Sequence, residues 1–256
     1  MAATLAITSD NSADVLRASS SEVVLDPHPH PHRPVGLERG DLAAGAFIGG
    51  RRRYSGQMPY RELPTPALPE LSALWWSRWP DSPPIGYELR CPTDCWVRFH
   101  SLPESKRYAD TAAEYEILLN RYNTVLTELF AGQPVYVVTM SLVPDEGIEV
   151  WSSTDPHALN PGSRPWMRLR EDEDSDPGGT LHLHVSEQRW KSRILDPLLR
   201  AVADDECAGV IIMDTDLRRL YLPYDGGADV ILAGPQERDA LKNAHADWLS
   251  THPLGL

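Results

Sequence analysis

Two aspartates separated by one residue are the first candidates for chemistry in this sequence. Asp214 and Asp216 follow an apolar run in the stretch IIMDTD. Hard carboxylate oxygens suit Mg²⁺ or Mn²⁺, and metal-dependent glycosyl and phosphoryl transferases use such an Asp-x-Asp pair. The alternative is a turn, in which short polar side chains bond nearby backbone amides. The sequence favours the turn, because no Gly-rich phosphate loop accompanies the pair.

Histidines form the second candidate group. His182 and His184 are two apart in a predicted strand, so they share a face, and with His100 they could make a three-histidine zinc site. The alternative is an exposed sheet face, because Leu181 and Leu183 take the opposite side. A further group in the stretch DPHPHPHRP could bind nickel or zinc weakly: His28, His30 and His32.

Candidate nucleophiles lack local partners. Ser101 is adjacent to His100, but neighbouring residues of a strand point to opposite faces. Cys207 follows three acidic residues, which should raise the pKa of its thiol. Cys91 and Cys95 lack the second pair that a zinc site requires. We expect three reduced thiols, and a Cys91–Cys95 disulfide is the alternative. The sequence therefore predicts no cofactor and favours a protein that is not an enzyme.

Charge and composition restrict the class of protein. The 256 residues carry 37 acidic against 24 basic side chains, a net charge of −13. This acidity argues against a general nucleic-acid binder, which needs a basic face. The sequence has no apolar run of about 18 residues and its first residues do not form a signal peptide. We therefore expect a cytoplasmic protein without membrane partners.

Composition divides the chain into an arm and a folded domain. Residues 1–57 hold six acidic residues and six arginines but few large apolar side chains, which predicts a disordered arm. Arg51–Arg53 in this arm could touch nucleic acid or an anionic partner, but the sequence favours a solvated linker. Residues 58–256 should form one domain. It opens with a Pro- and Trp-rich lead-in, 58–95, that contains a short helix near 68–78.

Periodicity predicts the first elements of this domain. A strand is expected over 96–102, and a helix begins after the capping residues Thr111 or Asp110 and ends at Gly132. A second strand should cover 135–142. Residues 143–179 form a long polar region with five acids at 171–176 and at most a short strand at 148–151.

The second half predicts more strands and two further helices. Strands are expected at 181–185 and 209–214, the latter buried on both faces, with a helix between them that is capped by Asp196. Strands 220–224 and 228–232 flank the hairpin turn Asp225-Gly226-Gly227, and Pro223 places the first of them near an edge. A final helix should run from about 236 to 249. The predicted fold class is α+β, with a mixed, mainly antiparallel sheet covered by two or three helices.

Two stretches resemble a bacterial family of unknown function that is labelled as an Rhs-element Vgr-type domain. They are RFHSLPESKRYADTAAEYEILLNRYNTVLTELF (98–130) and LRRLYLPYDGGADVIL with RDALKNAHADWL (within 217–249). The family resemblance involves these positions: Tyr224, Asp225, Gly227, Asp229 and Trp248. Gly226 departs from the arginine found in many relatives. The resemblance implies a connection with contact-dependent toxin systems, whose cytoplasmic partners include immunity proteins, and carries over no catalytic residue.

These observations favour a non-enzymatic, protein-binding domain of immunity or accessory type. An acidic surface attracts a basic partner, such as a toxin domain, and accelerates its association. The residues predicted to contact the partner are Glu171, Asp172, Glu173, Asp174, Asp176, Tyr224, Asp225 and Asp229. One alternative is a metal-dependent transferase or hydrolase that uses Asp214 and Asp216. Another is a structural component of a secretion spike.

Overall fold

Antiparallel strands form one sheet through the described part of the chain. The computed structural model describes residues 60–63, 67–89, 94–144, 154–171 and 179–250, all in one compact unit that spans 51–256. The strands are β1 (Tyr60–Leu63), β2 (Trp96–His100), β3 (Pro134–Pro144), β4 (Arg164–Glu171), β5 (Gly179–Arg189), β6 (Ile211–Asp214), β7 (Leu220–Tyr224) and β8 (Gly227–Ile231). Their order across the sheet is β1-β4-β5-β3-β6-β7-β8-β2. The predicted arm, 1–57, lies outside the described residues.

Helices cover both faces of the sheet. The described residues contain the helices α1 (Pro69–Arg78), α2 (Ala112–Phe130), α3 (Asp196–Ala203) and α4 (Pro235–Ala244). One face packs against α2 and α3, where Leu126 and Leu198 are fully buried. The other packs against α1, where Trp75 makes an edge contact with Trp166. The α+β class is thus confirmed, and every pairing within the described sheet is antiparallel.

The capping signals of α2 operate as the sequence predicts. Thr111 is the N-cap, and its hydroxyl accepts a hydrogen bond from the Glu114 amide at 3.2 Å. The Glu114 carboxylate accepts in return from the Asp110 amide at 2.7 Å. Gly132 follows the helix with a φ of +67°, the left-handed conformation that ends a helix without steric cost. Both ends of the helix that supports the hairpin are therefore encoded locally.

One strand lies where the sequence analysis predicted loop. The region 143–179 contains β4, which pairs with β1 on one side and β5 on the other. A register shift between Pro165 and Met167 places both Trp166 and Met167 in the core, which hides the alternation expected of a strand. The short strand predicted at 148–151 lies outside the described residues.

Three local predictions are wrong in detail. The N-cap of α3 is Leu195, while Asp196 is the first helical residue and accepts a hydrogen bond from Asn123 instead. Pro223 lies in β7, which is an interior strand. A proline, which has no amide hydrogen, fits there because β6 pairs only with Leu220 and Tyr221 of β7. The last helix ends at Ala244. A 3₁₀ turn over 246–248 follows it.

Candidate functional site

Pairing of the predicted hairpin with β2 brings together the two stretches that carry the family resemblance. Strands β7 and β8 pair from Leu220↔Ile231 to Tyr224↔Gly227, which leaves Asp225 and Gly226 as a two-residue turn. Strand β2 pairs with the other side of β8. Residues 98–100 and 224–229 are therefore neighbours in the sheet, and α2 lies against them. The Tyr122 hydroxyl on α2 donates to the carbonyl oxygen of Tyr224 at 2.9 Å.

Asp229 is a fully buried carboxylate with three hydrogen bonds. It accepts from Trp96 Nε1 at 3.1 Å and from Arg98 Nε and Nη2 at 2.8 and 3.0 Å. Burial alone would lower the pKa of Arg98, but hydrogen bonds and the charge of Asp229 raise it above its usual value. The Arg98 guanidinium also lies 5.2 Å from the Tyr224 ring centroid. Asp229 thus fixes the edge strand to the hairpin from inside the fold.

The turn residues are held equally firmly. Asp225 is 8 % exposed and accepts from Arg107 Nε at 2.6 Å and from the Tyr108 hydroxyl at 2.8 Å. A Cβ atom on Gly227 would lie 2.0 Å from the carbonyl oxygen of Phe99, so this position admits glycine only. Asp225 and Asp229 are therefore counter-ions of Arg107 and Arg98, and little of either carboxylate is exposed. Contact of the hairpin with a partner stays a prediction.

The Asp-x-Asp pair lies in a tight turn between β6 and β7. Oδ1 of Asp214 accepts from the amides of Arg218 and Arg219 at 2.7 and 3.3 Å, and the Asp214 carbonyl accepts from the Leu217 amide. Asp216 is exposed. Among the described residues, no three His, Cys, Asp or Glu side chains are grouped to hold a metal ion. The hydrogen bonds of Asp214 to backbone amides are those expected if the pair forms a turn.

The three histidines proposed as zinc ligands do not meet. His182 and His184 lie on β5, whereas His100 lies on β2, five strands further across the sheet. The structure brings His157 to this face instead, stacked on His184 with ring centroids 3.7 Å apart. Sequence reasoning missed His157 because it lies in the polar region before β4. No local pattern there indicates a contact with β3 or β5.

His157 anchors residues 154–163, which we call the strap, to the sheet. Its two ring nitrogens lie 2.9 Å from the Thr139 and Ser141 hydroxyls of β3. Asn160 adds a bond from Nδ2 to the Val137 carbonyl at 2.9 Å and accepts from the Ser186 hydroxyl at 2.6 Å. The strap is therefore fixed by side-chain bonds to the neighbouring strands β3 and β5.

Electrostatics keep this cluster neutral. Burial, and then the nearby His184, lower the pKa of His157 to about 4. Burial also lowers the pKa of His184 and of His182, with the charge of Arg168 contributing at His182. Ser141 and His157 have the geometry of a nucleophile and a base, but a base with this pKa removes protons weakly. The arrangement serves better as a structural clamp.

Several predicted residues cannot be placed. Strand β4 ends at Glu171, opposite Tyr60 in β1, and the rest of the acidic segment lies outside the described residues: Asp172, Glu173, Asp174 and Asp176. Cys91, Arg51–Arg53 and the arm histidines also lie outside them: His28, His30 and His32. Burial, followed by the charges of Glu206 and Asp205, raises the pKa of Cys207 to about 12, the direction that the sequence predicts.

No helix among the described residues is long and apolar enough to cross a membrane.

Comparison with known proteins gives a family but no characterised relative. No curated protein matches the chain, and no solved structure matches it. A family model matches residues 85–253, two-thirds of the chain, under the description "Domain of unknown function (DUF3885)". That description connects the family with neither Rhs elements nor Vgr proteins. The chain belongs to the DUF3885 family.

Proposed function

We propose that this chain is a non-enzymatic, protein-binding domain that recognises a basic protein through its acidic segment, 171–176. The segment has five carboxylates in six positions. It begins at the end of β4, where its first residue, Glu171, pairs with Tyr60 of the terminal strand β1. This placement is the observation that carries the proposal.

The disposition of other acidic residues supports this assignment to the segment. Asp214, Asp225 and Asp229 are buried and bonded within the fold. The negative charge that remains for a partner therefore comes from other carboxylates. A block of like charge attracts an oppositely charged protein over a distance, which raises the association rate at low salt.

The partner class we propose is a basic toxin domain, with this chain as its cytoplasmic immunity or accessory protein. Binding of an acidic protein to a basic toxin blocks the toxin surface that contacts its substrate. Charge attraction suits this task, since it speeds capture of a harmful protein.

The test compares two variants of equal net charge. In the first, the acidic segment is neutralised by Asp172→Asn, Glu173→Gln, Asp174→Asn and Asp176→Asn. In the matched control, exposed carboxylates elsewhere are neutralised by Glu70→Gln, Asp81→Asn, Glu187→Gln and Asp216→Asn. Basic proteins that co-purify with the tagged chain from its native cells are identified by mass spectrometry, then expressed. Their affinity is measured by calorimetry at low and high salt.

We expect one basic partner whose affinity falls with salt and falls further in the segment variant than in the control. Co-expression of the wild-type chain should restore growth to cells that the partner inhibits. Equal binding by both variants would remove the acidic segment from the interface. A salt-insensitive partner, or failure to find any basic partner, would contradict the proposal.

A further inference from the structure

Strand β2 is the last strand of the sheet, and it pairs only with β8 among the described residues. The backbone pattern shows which groups face outward. The Leu232 amide donates to the Cys95 carbonyl at 2.9 Å, and the Ser101 amide donates to the Gly226 carbonyl at 3.1 Å. Both bonds belong to the same antiparallel register as Val97↔Val230 and Phe99↔Ala228.

Bonded and non-bonded pairs alternate in an antiparallel ladder. The odd-numbered residues of β2 therefore bond to β8, and the amides and carbonyls of Trp96, Arg98 and His100 point away from it. Apart from the His100 carbonyl, which accepts a hydrogen bond from a side chain of α2, these outward groups form an edge that an additional strand could join, the mode of recognition called β-augmentation.

Arg121 of α2 reaches this edge. Its Nη1 donates to the outward carbonyl of His100 at 2.9 Å, and its guanidinium lies 5.2 Å from the Trp248 ring centroid. Burial lowers the pKa of Arg121, and the charge of Asp247 offsets this only in part. No carboxylate of the described residues forms a salt bridge with Arg121. A partly desolvated cation with no carboxylate in direct contact is unfavourable, and an incoming carboxylate would relieve it.

A second polar group at the same place lacks a partner. The Nε2 atom of His100 is buried, and nothing in the described part of the chain bonds to it. The ring also bonds to the backbone of Gly226, which leaves Nε2 as its unsatisfied nitrogen. Buried ring nitrogens are normally satisfied, so a group supplied by a partner could bond to this atom. We propose that the outer edge of β2 binds an extended segment of a partner protein, whose backbone continues the sheet and whose acidic side chain pairs with Arg121.

This site does not involve the residues of the acidic segment. Strand β2 lies at one end of the sheet, and β4, whose last residue is Glu171, pairs with β1 at the other end. The inference does not rest on the proposed function, and either can fail without the other.

The experiment selects displayed random octapeptides on the purified wild-type chain and measures the selected peptides by fluorescence anisotropy. We expect peptides with alternating β-branched residues and Asp or Glu at one fixed position. Arg121→Gln should weaken them by about tenfold or more, the loss expected for one charge-assisted hydrogen bond. Arg121→Lys should fall between the two. His100→Pro removes an outward amide without breaking a ladder bond, and it should also weaken binding.

Location is tested independently by NMR. Bound peptide should shift the amide signals of Trp96, Arg98 and His100, whereas those of Val97 and Phe99 should move less. Thermal melts verify that each variant is folded. The proposal is overturned if no peptide is enriched, if the enriched peptides share no acidic position, or if they bind Arg121→Gln as tightly as the wild type.

Discussion

Acidification should loosen the domain through His157, the residue that clamps the strap. Its pKa of about 4 in the folded chain compares with an ordinary value of 6.5. The folded state therefore favours the neutral ring, and this contribution to stability is complete above pH 6.5. It is lost as the pH falls from 6.5 towards 4, because His157 is then protonated in the unfolded chain but still mostly neutral in the folded chain.

The size of the effect follows from the difference in pKa. A difference of one pKa unit corresponds to about 1.4 kcal/mol. The free energy of unfolding therefore falls by about 2 kcal/mol between pH 7 and pH 5 and by about 3 kcal/mol at pH 4. The lowered pKa values of His182 and His184 act in the same direction. Repulsion from the stacked His184 ring is one of the causes of the low pKa of His157 and is therefore already included in this loss.

Urea unfolding of the wild type and of His157→Gln at pH 7 and pH 5 measures this contribution. Glutamine can still bond to the hydroxyls of β3 but does not titrate, so the variant should lose about 2 kcal/mol less than the wild type over this interval. NMR titration of the imidazole signals gives the pKa of His157 directly. An equal loss in both proteins, or a His157 pKa near 6.5, would refute the reasoning.

Three further predictions concern backbone geometry and a buried charge, all checked by urea unfolding. Gly227→Ala should lower the free energy of unfolding by about 3 kcal/mol or more, because the new Cβ cannot fit against the Phe99 carbonyl. A smaller loss would mean that the hairpin backbone shifts to make room for it. Gly132→Ala should lower the free energy of unfolding by about 1 kcal/mol, because Gly132 has a positive φ. Asp205→Gly should raise it by at most about 1 kcal/mol, because Asp205 has a φ of +59° after α3; a change of the same sign in both variants would contradict this. Arg98→Met should cost about 3–5 kcal/mol, because it leaves Asp229 buried without its cation; a loss below 1 kcal/mol would show that water reaches the carboxylate.

Elements encoded by short-range patterns could be predicted from the sequence. Helix α2 carries its own N-cap, its apolar stripe and its terminal glycine, and the hairpin carries its own turn residues. The buried run of β6 indicated a central strand for the same reason. Strand β4 escaped detection because its register shift turns two successive side chains inward, which breaks the period of two.

The role of each charged side chain required the tertiary structure. The acidic excess of the chain is visible in the sequence, yet the sequence does not say which carboxylates meet a cation inside the fold. Asp229 and Arg98 are 131 residues apart and meet only because β2 pairs with β8. His157 likewise joins His184 only after the strap folds over the sheet.

The sequence by itself determined the fold class, the capped helix, the hairpin and the net charge, because these depend on neighbouring residues or on composition alone. Only the tertiary structure decided that the hairpin acids pair with distant cations, that His157 and not His100 lies beside His184, and that Arg121 bonds to the His100 carbonyl of β2. These contacts join residues far apart in the chain, and strand order, which no local pattern specifies, determines which of them come together.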